Sequence, residues 1–251
     1  MSDESPVKSL AKALSVLECF SVEQPELGIS EISRRLGLQK STVYNILSTF
    51  QKCGYIVQNP DNSKYALGLK VLHLGYIVSS HHGLRDTFLP YLNRIARDTR
   101  ETCYFGILDD LEVLYIEAAY PTTQQQTRNI LGERAPLYCT GLGKAMLAYL
   151  PEEKIGQVLS APMRQFTGYT LNDPDALRAS LEEVRARGYA VDNMEHEFGI
   201  RCVAVPVFNT AGQVYAAVSV SGPSPRFDPD TVVRDAAVIQ EALKPLQYQM
   251  A

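Results

Sequence analysis

The sequence predicts an α+β protein with two domains, a small helical one that ends in a β-hairpin and a larger one built on an antiparallel sheet. Three observations predict this class. Apolar residues repeat at helical spacing on both sides of Gly37, a turn sequence separates two β-rich segments within residues 55–67, and strand-like runs alternate with helical ones later in the chain. We expect the small domain at residues 1–68, a linker helix at 69–83 and the larger domain at 84–251.

The small domain is predicted to be a winged helix-turn-helix. Its glycine turn joins the second and third of three predicted helices, whose apolar stripes cover residues 10–20, 29–36 and 43–50 and surround one small core. The segments 55–57 and 65–67 flank Gln-Asn-Pro-Asp-Asn-Ser-Lys, a strong turn sequence, and should pair as the hairpin, or wing. The first stripe consists of Leu10, Ala13, Leu14, Leu17 and Phe20.

The third helix offers a polar face of short hydrogen-bonding side chains, which suit base edges and phosphates in a DNA major groove. An ordinary three-helix packing module is the alternative, and the hairpin favours DNA binding over it. We therefore predict that double-stranded DNA is contacted by Arg34, Arg35, Lys40, Ser41, Thr42, Tyr44, Asn45, Ser48 and Lys64.

The charge is divided unevenly along the chain. The formal net charge is −4, yet residues 30–70 carry +4 and the rest of the chain −8. A basic module on an acidic body would attract phosphates locally while the body avoids nonspecific adhesion to DNA. Solvated surface charge would also explain the basic segment.

Composition argues against several other classes of protein. No apolar run approaches the roughly 20 residues of a membrane span, so we expect no membrane contact. The acidic, polar start differs from a signal peptide, and we expect a cytoplasmic protein. The five cysteines lie far apart without Cys-x-x-Cys or paired histidines, which predicts no disulfide, metal site or cofactor, and thiols that are mostly buried.

The linker and the larger domain follow in order. Residues 69–78 form a helix that is apolar on two faces, which it can bury most simply against a partner subunit. An amphipathic helix from Leu84 precedes a sheet with helices packed on it. We predict strands at 102–108, 112–118, 189–193, 202–208 and 213–221, a helix opened by Asp173-Pro174 and closed by Gly188, and a last helix at 231–249.

Two groups of residues in the larger domain could carry chemistry. Thr-Gly-Leu-Gly-Lys-Ala at 140–145 begins a helix, where free N–H groups favour an anion, although tight packing on the sheet explains the glycines equally well. The sequence lacks the spacing and the Ser or Thr of a nucleotide P-loop. Ser219 and Ser221 share one strand face and could converge with Asp192 and Cys202 on a polar ligand or a buried network.

A thiol hydrolase that uses Cys202, His196 and Asp192 is a further possibility. No nucleophile-elbow motif surrounds these residues, and hydrolysis would leave the predicted DNA-reading helix unexplained. We predict that the protein is not an enzyme.

Four motifs in the same order resemble the isocitrate lyase regulator (IclR) family of bacterial transcription factors. They lie at residues 29–43, 65–70, 135–145 and 188–208, and Ser-Val-Ser-Gly-Pro at 219–223 follows. The resemblance implies a GAF-like C-terminal domain that binds a small organic acid and changes DNA affinity, in a dimer that often pairs into a tetramer. In keto-acid-binding members the pocket residues correspond here to Gly141, Leu142, Asp192, Cys202, Ser219 and Ser221.

The sequence departs from the family at two places. Gln39 replaces the Pro, Ser or other good helix-starting residue of many relatives, which leaves the start of the third helix open. Residues 120–131 match no motif, and they are candidates for the pocket wall that sets ligand identity.

From these observations we expect a repressor of near-palindromic operators that responds to a keto acid or a sugar acid. The ligand carboxylate would lie on the N–H groups of Gly141 and Leu142 and on the hydroxyls of Ser219 and Ser221. Asp192, if ionised, only accepts hydrogen bonds and would favour a ligand hydroxyl. The alternatives are an aromatic-acid-responsive activator of a catabolic operon and a sensor of protein partners with a degenerate winged helix.

Overall fold

The computed structural model describes residues 6–122 and 130–248. The chain divides after Gly83 into two compact units. Two predictions fall partly outside the described residues. The candidate pocket wall at 120–131 includes 123–129, and the last helix was expected to end at Gln249; neither 123–129 nor Gln249 is described. No helix within the described ranges is long and apolar enough to cross a membrane.

The first unit confirms the predicted helix-turn-helix and its hairpin. Gly37 has a left-handed backbone with φ of 65° and ends the second helix. Val57 lies opposite Ala66 in the antiparallel hairpin. The elements are α1 Lys8–Leu17, α2 Ile29–Leu36, α3 Lys40–Lys52, β1 Ile56–Gln58, β2 Tyr65–Leu67 and the linker helix α4 Leu69–His82.

The predicted stripe of the first helix is partly wrong. Leu10 and Leu14 are exposed, and Val16 is the buried residue of α1. The helix ends at Leu17, and Phe20 packs on the core from outside it. A helical repeat identifies an apolar face, but it does not tell whether that face meets the core of its own chain.

The second unit is an antiparallel sheet with helices on both faces. Among the described residues, six strands form this sheet in the order β5-β4-β3-β8-β7-β6. The elements in chain order are α5 Leu84–Thr99, β3 Thr102–Asp109, β4 Glu112–Ala119, β5 Arg134–Pro136, α6 Gly141–Leu147, α7 Glu152–Ser160, α8 Pro174–Arg187, β6 Ala190–Asn193, β7 Ile200–Phe208, β8 Val214–Pro223 and α9 Pro229–Leu243.

The two faces of this sheet bury different helices. Phe88 of α5 and Ile239 of α9 lie in the apolar core on one face, and Leu142 of α6 and Leu181 of α8 lie in the core on the other. The predicted start and end of α8 are confirmed, because Asp173 caps it by accepting from the N–H of Ala176 and Gly188 ends it with φ of 78°.

Three features of the second unit differ from the sequence-based expectation. β5 and α7 have no counterpart among the predicted elements, because three residues are too short to show a period and α7 has Gly156 in its middle and only Ile155 and Val158 buried. The last helix ends at Leu243 instead of continuing, because Pro245 has no N–H to extend the helical hydrogen bonds, and a 3-10 turn at Lys244–Leu246 follows.

Candidate functional site

One row of residues across the sheet collects the polar side chains predicted to converge. Asp192 of β6 lies opposite Cys202 of β7, and Cys202 lies opposite Ser221 of β8. Ser221 in turn lies opposite Thr102 of β3. Opposite residues of neighbouring strands lie on the same sheet face. Ser219 lies two positions before Ser221 on β8 and is therefore on this face as well. The Sγ of Cys202 is 2.9 Å from the Oγ of Ser221.

The beginning of α6 rests directly on this row. A Cβ added to Gly141 would lie 3.3 Å from the Cβ of Cys202 and 3.8 Å from that of Asp192, so the missing side chain permits the close approach. Thr140 caps the helix, and its Oγ1 accepts from the N–H of Gly143 at 3.0 Å. Close packing therefore explains the glycines, and it also brings first-turn N–H groups, which have no partner within a helix, to the polar row.

The row and the helix start line a single cavity of about 640 Å³. All six residues predicted for the effector pocket lie in its lining, together with others that the sequence reasoning missed. Tyr104 was one of these, although it alternates with Thr102 on β3 and lies opposite Ser219. Further missed residues of the lining are Thr102, Tyr115 and Arg226. The lining also contains Tyr120 and Ile130, which belong to the segment 120–131 predicted as a candidate pocket wall, and Thr140 of the 140–145 motif.

The carboxyl group of Asp192 is the most perturbed acid at this cavity. The residue is 4% exposed, and its Oδ1 accepts from the N–H of Glu195 at 2.7 Å. Burial raises the pKa of Asp192 to about 7, the Glu195 carboxylate adds to the rise, and N–H groups of Glu195 and His196 oppose it. Near neutral pH the group therefore exists in both forms, and its protonated form can donate a hydrogen bond.

The thiol of Cys202 is poorly suited to act as a nucleophile. Burial strongly raises the pKa of Cys202, and the nearby charge of Asp192 raises it further. The attacking species in cysteine chemistry is the thiolate, which such surroundings disfavour. The ring of His196 packs against Phe166, with centroids 4.8 Å apart.

All five cysteines are free, and Cys19, Cys103 and Cys139 are buried, which confirms that most thiols are buried.

Helix α3 of the first unit presents the polar face predicted for DNA. Val43 and Leu47 are buried on one side of the helix, whereas Ser41, Tyr44 and Asn45 are exposed on the other. Thr42 and Ser48 are half-buried. The helix begins at Lys40, and the side chain of its capping residue, Gln39, makes no cap hydrogen bond.

The basic residues of this unit fall into two groups. Arg35 donates to the carbonyl of Cys19 at 2.8 Å, and Lys64 lies 3.5 Å from the Glu31 carboxylate. The side chains of Arg34 and Lys40 are exposed and make no hydrogen bond or ion pair with any other residue that the structure describes. The second pair is thus the better placed to meet phosphates without breaking a protein contact.

A helix-turn-helix unit followed by a sheet domain with a polar cavity defines the class of ligand-responsive DNA-binding regulators. Comparison with known proteins agrees with this class. Residues 77–246 match the family model described as Bacterial transcriptional regulator IclR C-terminal, and residues 9–60 match the IclR helix-turn-helix domain. The chain therefore belongs to the IclR family of DNA-binding transcriptional regulators, whose C-terminal domain binds effectors.

Individual relatives cover nearly the whole chain. It is 37% identical to the HTH-type transcriptional regulator XynR of Escherichia coli K12 over 237 residues, which is 94% of each protein. It is 30% identical to the transcriptional repressor IclR of the same strain over 95% of this chain and 88% of that protein. An IclR homolog from Microbacterium hydrocarbonoxydans, complexed with 4-hydroxybenzoate, superposes with a TM-score of 0.79 at 28% identity, covering 95% and 100% of the two chains. The relatives from Escherichia coli are named as transcriptional regulators and not as enzymes.

Proposed function

We propose that this protein is a transcriptional repressor whose affinity for a near-palindromic operator is controlled by a small hydroxylated or keto acid. The observation that carries the proposal is the convergence of the α6 start, Ser219, Ser221 and Asp192 on one cavity. A carboxylate at the N–H groups of Gly141 and Leu142 would satisfy donors that the helix itself cannot. The repressor role is supported by the relative named transcriptional repressor IclR.

The remaining lining favours a ligand that carries hydroxyl or keto oxygens. Thr102 and Tyr104 add hydroxyl groups to those of the serines. Burial raises the pKa of Tyr115, so its phenol stays a neutral donor. Arg226 lies at the same cavity, and Glu101 holds its guanidinium by two contacts of 2.6 Å. Together these groups can accept and donate hydrogen bonds along the polar chain of such a ligand. An unsubstituted fatty acid would leave them without hydrogen-bond partners.

An aromatic acid is the second candidate ligand. The rings of Tyr104 and Tyr115 both line the cavity and meet edge to face, with centroids 6.0 Å apart. Such a pair can pack against an aromatic ligand. This proposal would make the protein an aromatic-acid-responsive activator, and the 4-hydroxybenzoate complex of the Microbacterium relative supports it.

Genomic capture followed by acid release tests both versions. Purified protein is mixed with fragmented genomic DNA at near-physiological salt, and bound fragments are sequenced. We expect a few intergenic near-palindromes, which gluconate, glyoxylate or pyruvate releases. Release by 4-hydroxybenzoate alone would favour the aromatic version, and no enriched fragment under any condition would overturn the proposed function.

The apolar linker helix supports pairing with a second copy of the chain. Leu69, Leu72 and Tyr76 of α4 are 83%, 71% and 69% exposed, which is unusual for such large apolar side chains. Pairing of two such helices would bury these surfaces and set two reading helices against half-sites about 10 bp apart or a multiple of that spacing. The dimer could pair further into the tetramer implied by the family resemblance.

Leu72→Glu should weaken this association and, with it, operator binding. A carboxylate placed in a buried apolar interface loses its hydration without gaining a partner, so we expect dissociation at least tenfold easier than in the wild type. Sedimentation velocity measures the change. Val22→Glu places the same charge at an exposed position outside α4 and serves as the control; equal association of the two variants would contradict pairing through α4.

Arg34→Ala or Lys40→Ala should weaken binding to all DNA sequences. Each variant removes one phosphate neutralisation, so the slope of log affinity against log salt should fall in magnitude by about 1. Fluorescence anisotropy at several salt concentrations measures both quantities. Arg97→Ala in α5 is the control for loss of one positive charge, and an unchanged slope in both test variants would refute the phosphate contacts.

Asn45→Ala and Thr42→Ala should alter which operators are preferred. A side chain that bonds a base edge contributes discrimination of about 1–3 kcal/mol per good contact, whereas a phosphate contact contributes none. Selection from a randomised DNA pool compares the preferred sequences. Preferences identical to those of the wild type would rule out base reading by these two residues.

A further inference from the structure

A buried ion pair lies behind the cavity and is not used by the proposed ligand contacts. Lys144 of α6 and Glu195 of the turn after β6 join through Nζ and Oε1, and the two residues are only 1% and 3% exposed. Charged residues are rarely buried so completely unless they are paired. The pair connects two segments that both line the cavity, namely the start of α6 and the segment that carries Asp192 and His196.

Glu195 is also the centre of the hydrogen bonds that shape this turn. Its Oε1 accepts from the N–H of Asn193 at 3.2 Å, and its carbonyl accepts from the hydroxyl of Thr170 at 2.6 Å. Its own N–H donates to Oδ1 of Asp192 at 2.7 Å. The ion pair with Lys144 therefore anchors the residue that holds Asp192, while a second carboxylate oxygen, Oε2, is buried without a hydrogen-bond partner among the described residues.

We propose that Lys144 and Glu195 are a positioning pair for acid recognition, which fixes the place and the charge state of the Asp192 carboxyl. The inference rests on the proposed function, because Asp192 matters only if an acid binds beside it. Lys144 is the lysine of the Thr-Gly-Leu-Gly-Lys motif. In this role it contacts neither a phosphate nor the ligand.

Several charged and titratable groups act on the Asp192 carboxyl. Burial is the main cause of its raised pKa; the Glu195 carboxylate raises it further, and the Lys144 ammonium lowers it. Loss of the Glu195 charge must then lower the pKa of Asp192, whereas the N–H donated by residue 195 would remain. The other titratable groups coupled to Asp192 are Tyr115 of β4, Cys139 before α6 and Cys202 of β7.

Glu195→Gln tests the proposal in the full-length protein without requiring a ligand. Carbon-13 NMR follows the Asp192 carboxyl through a pH titration, with Asp192→Asn to assign its signal. We expect the pKa of Asp192 to fall by about one unit in the variant. Glu182→Gln removes an exposed carboxylate of α8 and should leave the titration unchanged. An Asp192 titration that is the same in Glu195→Gln and the wild type would overturn the proposal.

Acid binding measured against pH supplies the second readout, with gluconate and pyruvate as probes. If the acid binds beside protonated Asp192, Glu195→Gln should bind it about fivefold more weakly at pH 7 and recover wild-type affinity as the pH is lowered. A loss that is equal at every pH would mean that the pair acts only on structure, and it would overturn the proposal. If the pair acted only on structure, protonating Asp192 would not restore the affinity for the acid.

The double variant Lys144→Met/Glu195→Gln keeps the test decisive if Glu195→Gln fails to fold. Removing both charges leaves no unpaired buried ion, so this variant should stay folded. Its Asp192 pKa should also fall, because the larger of the two opposing charge effects is that of Glu195. A wild-type protein that binds no acid would overturn the proposed function, whereas the titration of Asp192 would still report on the ion pair.

Discussion

Gly143→Ala should destabilise the C-terminal unit by about 3 kcal/mol or more, because it forces a methyl group into a closely packed backbone. The new Cβ would lie 2.5 Å from both the Cα of Leu137 and the Oγ1 of Thr140, and it would also strike the carbonyl oxygen of Leu137. Backbone atoms cannot rotate away as a flexible side chain can. The start of α6 must therefore shift, and it lines the cavity, so we expect the response to acid to be lost as well.

Gly156→Ala is the matched control for this prediction. Gly156 lies within α7, and no atom is found within 4 Å of a Cβ added there. Alanine in a helix interior is more favourable than glycine by roughly 0.5–1 kcal/mol, so this variant should be neutral or slightly more stable. Thermal and urea unfolding followed by circular dichroism measure both variants. Equal stabilities would mean that α6 is not packed as described.

Acid binding should weaken about tenfold between pH 6 and pH 8, and Asp192→Asn should remove this dependence. If the ligand carboxylate binds beside a protonated Asp192, affinity falls tenfold for each pH unit above the pKa, which lies at about 7. The amide side chain in the variant would keep a hydrogen-bond donor that does not titrate. Isothermal titration with gluconate and pyruvate at several pH values measures the effect.

The opposite slope would support the ionised form as the binding form. An ionised Asp192 only accepts hydrogen bonds, so affinity for a hydroxylated acid would rise with pH as the carboxylate forms. A flat profile in the wild type would separate Asp192 from acid binding altogether. The three outcomes are distinct: the first two assign the carboxyl opposite parts in recognition, and the third assigns it none.

The same carboxyl should leave a signature in the stability of the acid-free protein. Its pKa is higher in the folded protein than in the unfolded chain, so its contribution to stability is fully present below about pH 4 and is lost as the pH rises through about 7. Asp192→Asn has no carboxyl to titrate at this position and does not lose this stability. Its melting temperature relative to that of the wild type should therefore rise as the pH increases from 5 to 8. A constant difference would contradict the raised pKa.

Local patterns predicted most of the elements, because their causes lie within a few neighbouring residues. Gly37 ends α2 and Asp173 starts α8 through backbone geometry and a hydrogen bond to a residue three positions on. The apolar period of α3 likewise reflects its own buried stripe. Two of the failures also had local reasons, since β5 is too short to show a period and Pro245 ends the regular hydrogen bonds of α9.

The sequence by itself determined the class of the protein, the polar face of α3 and the residue types of the cavity. Alternation along β8 put Ser219 and Ser221 on one face, yet it could not tell that Ser221 lies opposite both Cys202 and Thr102. Register between strands depends on turns and packing far along the chain.

Only the tertiary structure decided the electrostatics of the site. Lys144 and Glu195 are 51 positions apart, and nothing in either local sequence indicates that they meet as a buried ion pair. The pKa of Asp192 depends on how much water the surrounding strands and α6 exclude, together with the charge of Glu195. Burial and distance are properties of the packed chain, so the sequence could name the acid but not the form in which it meets a ligand.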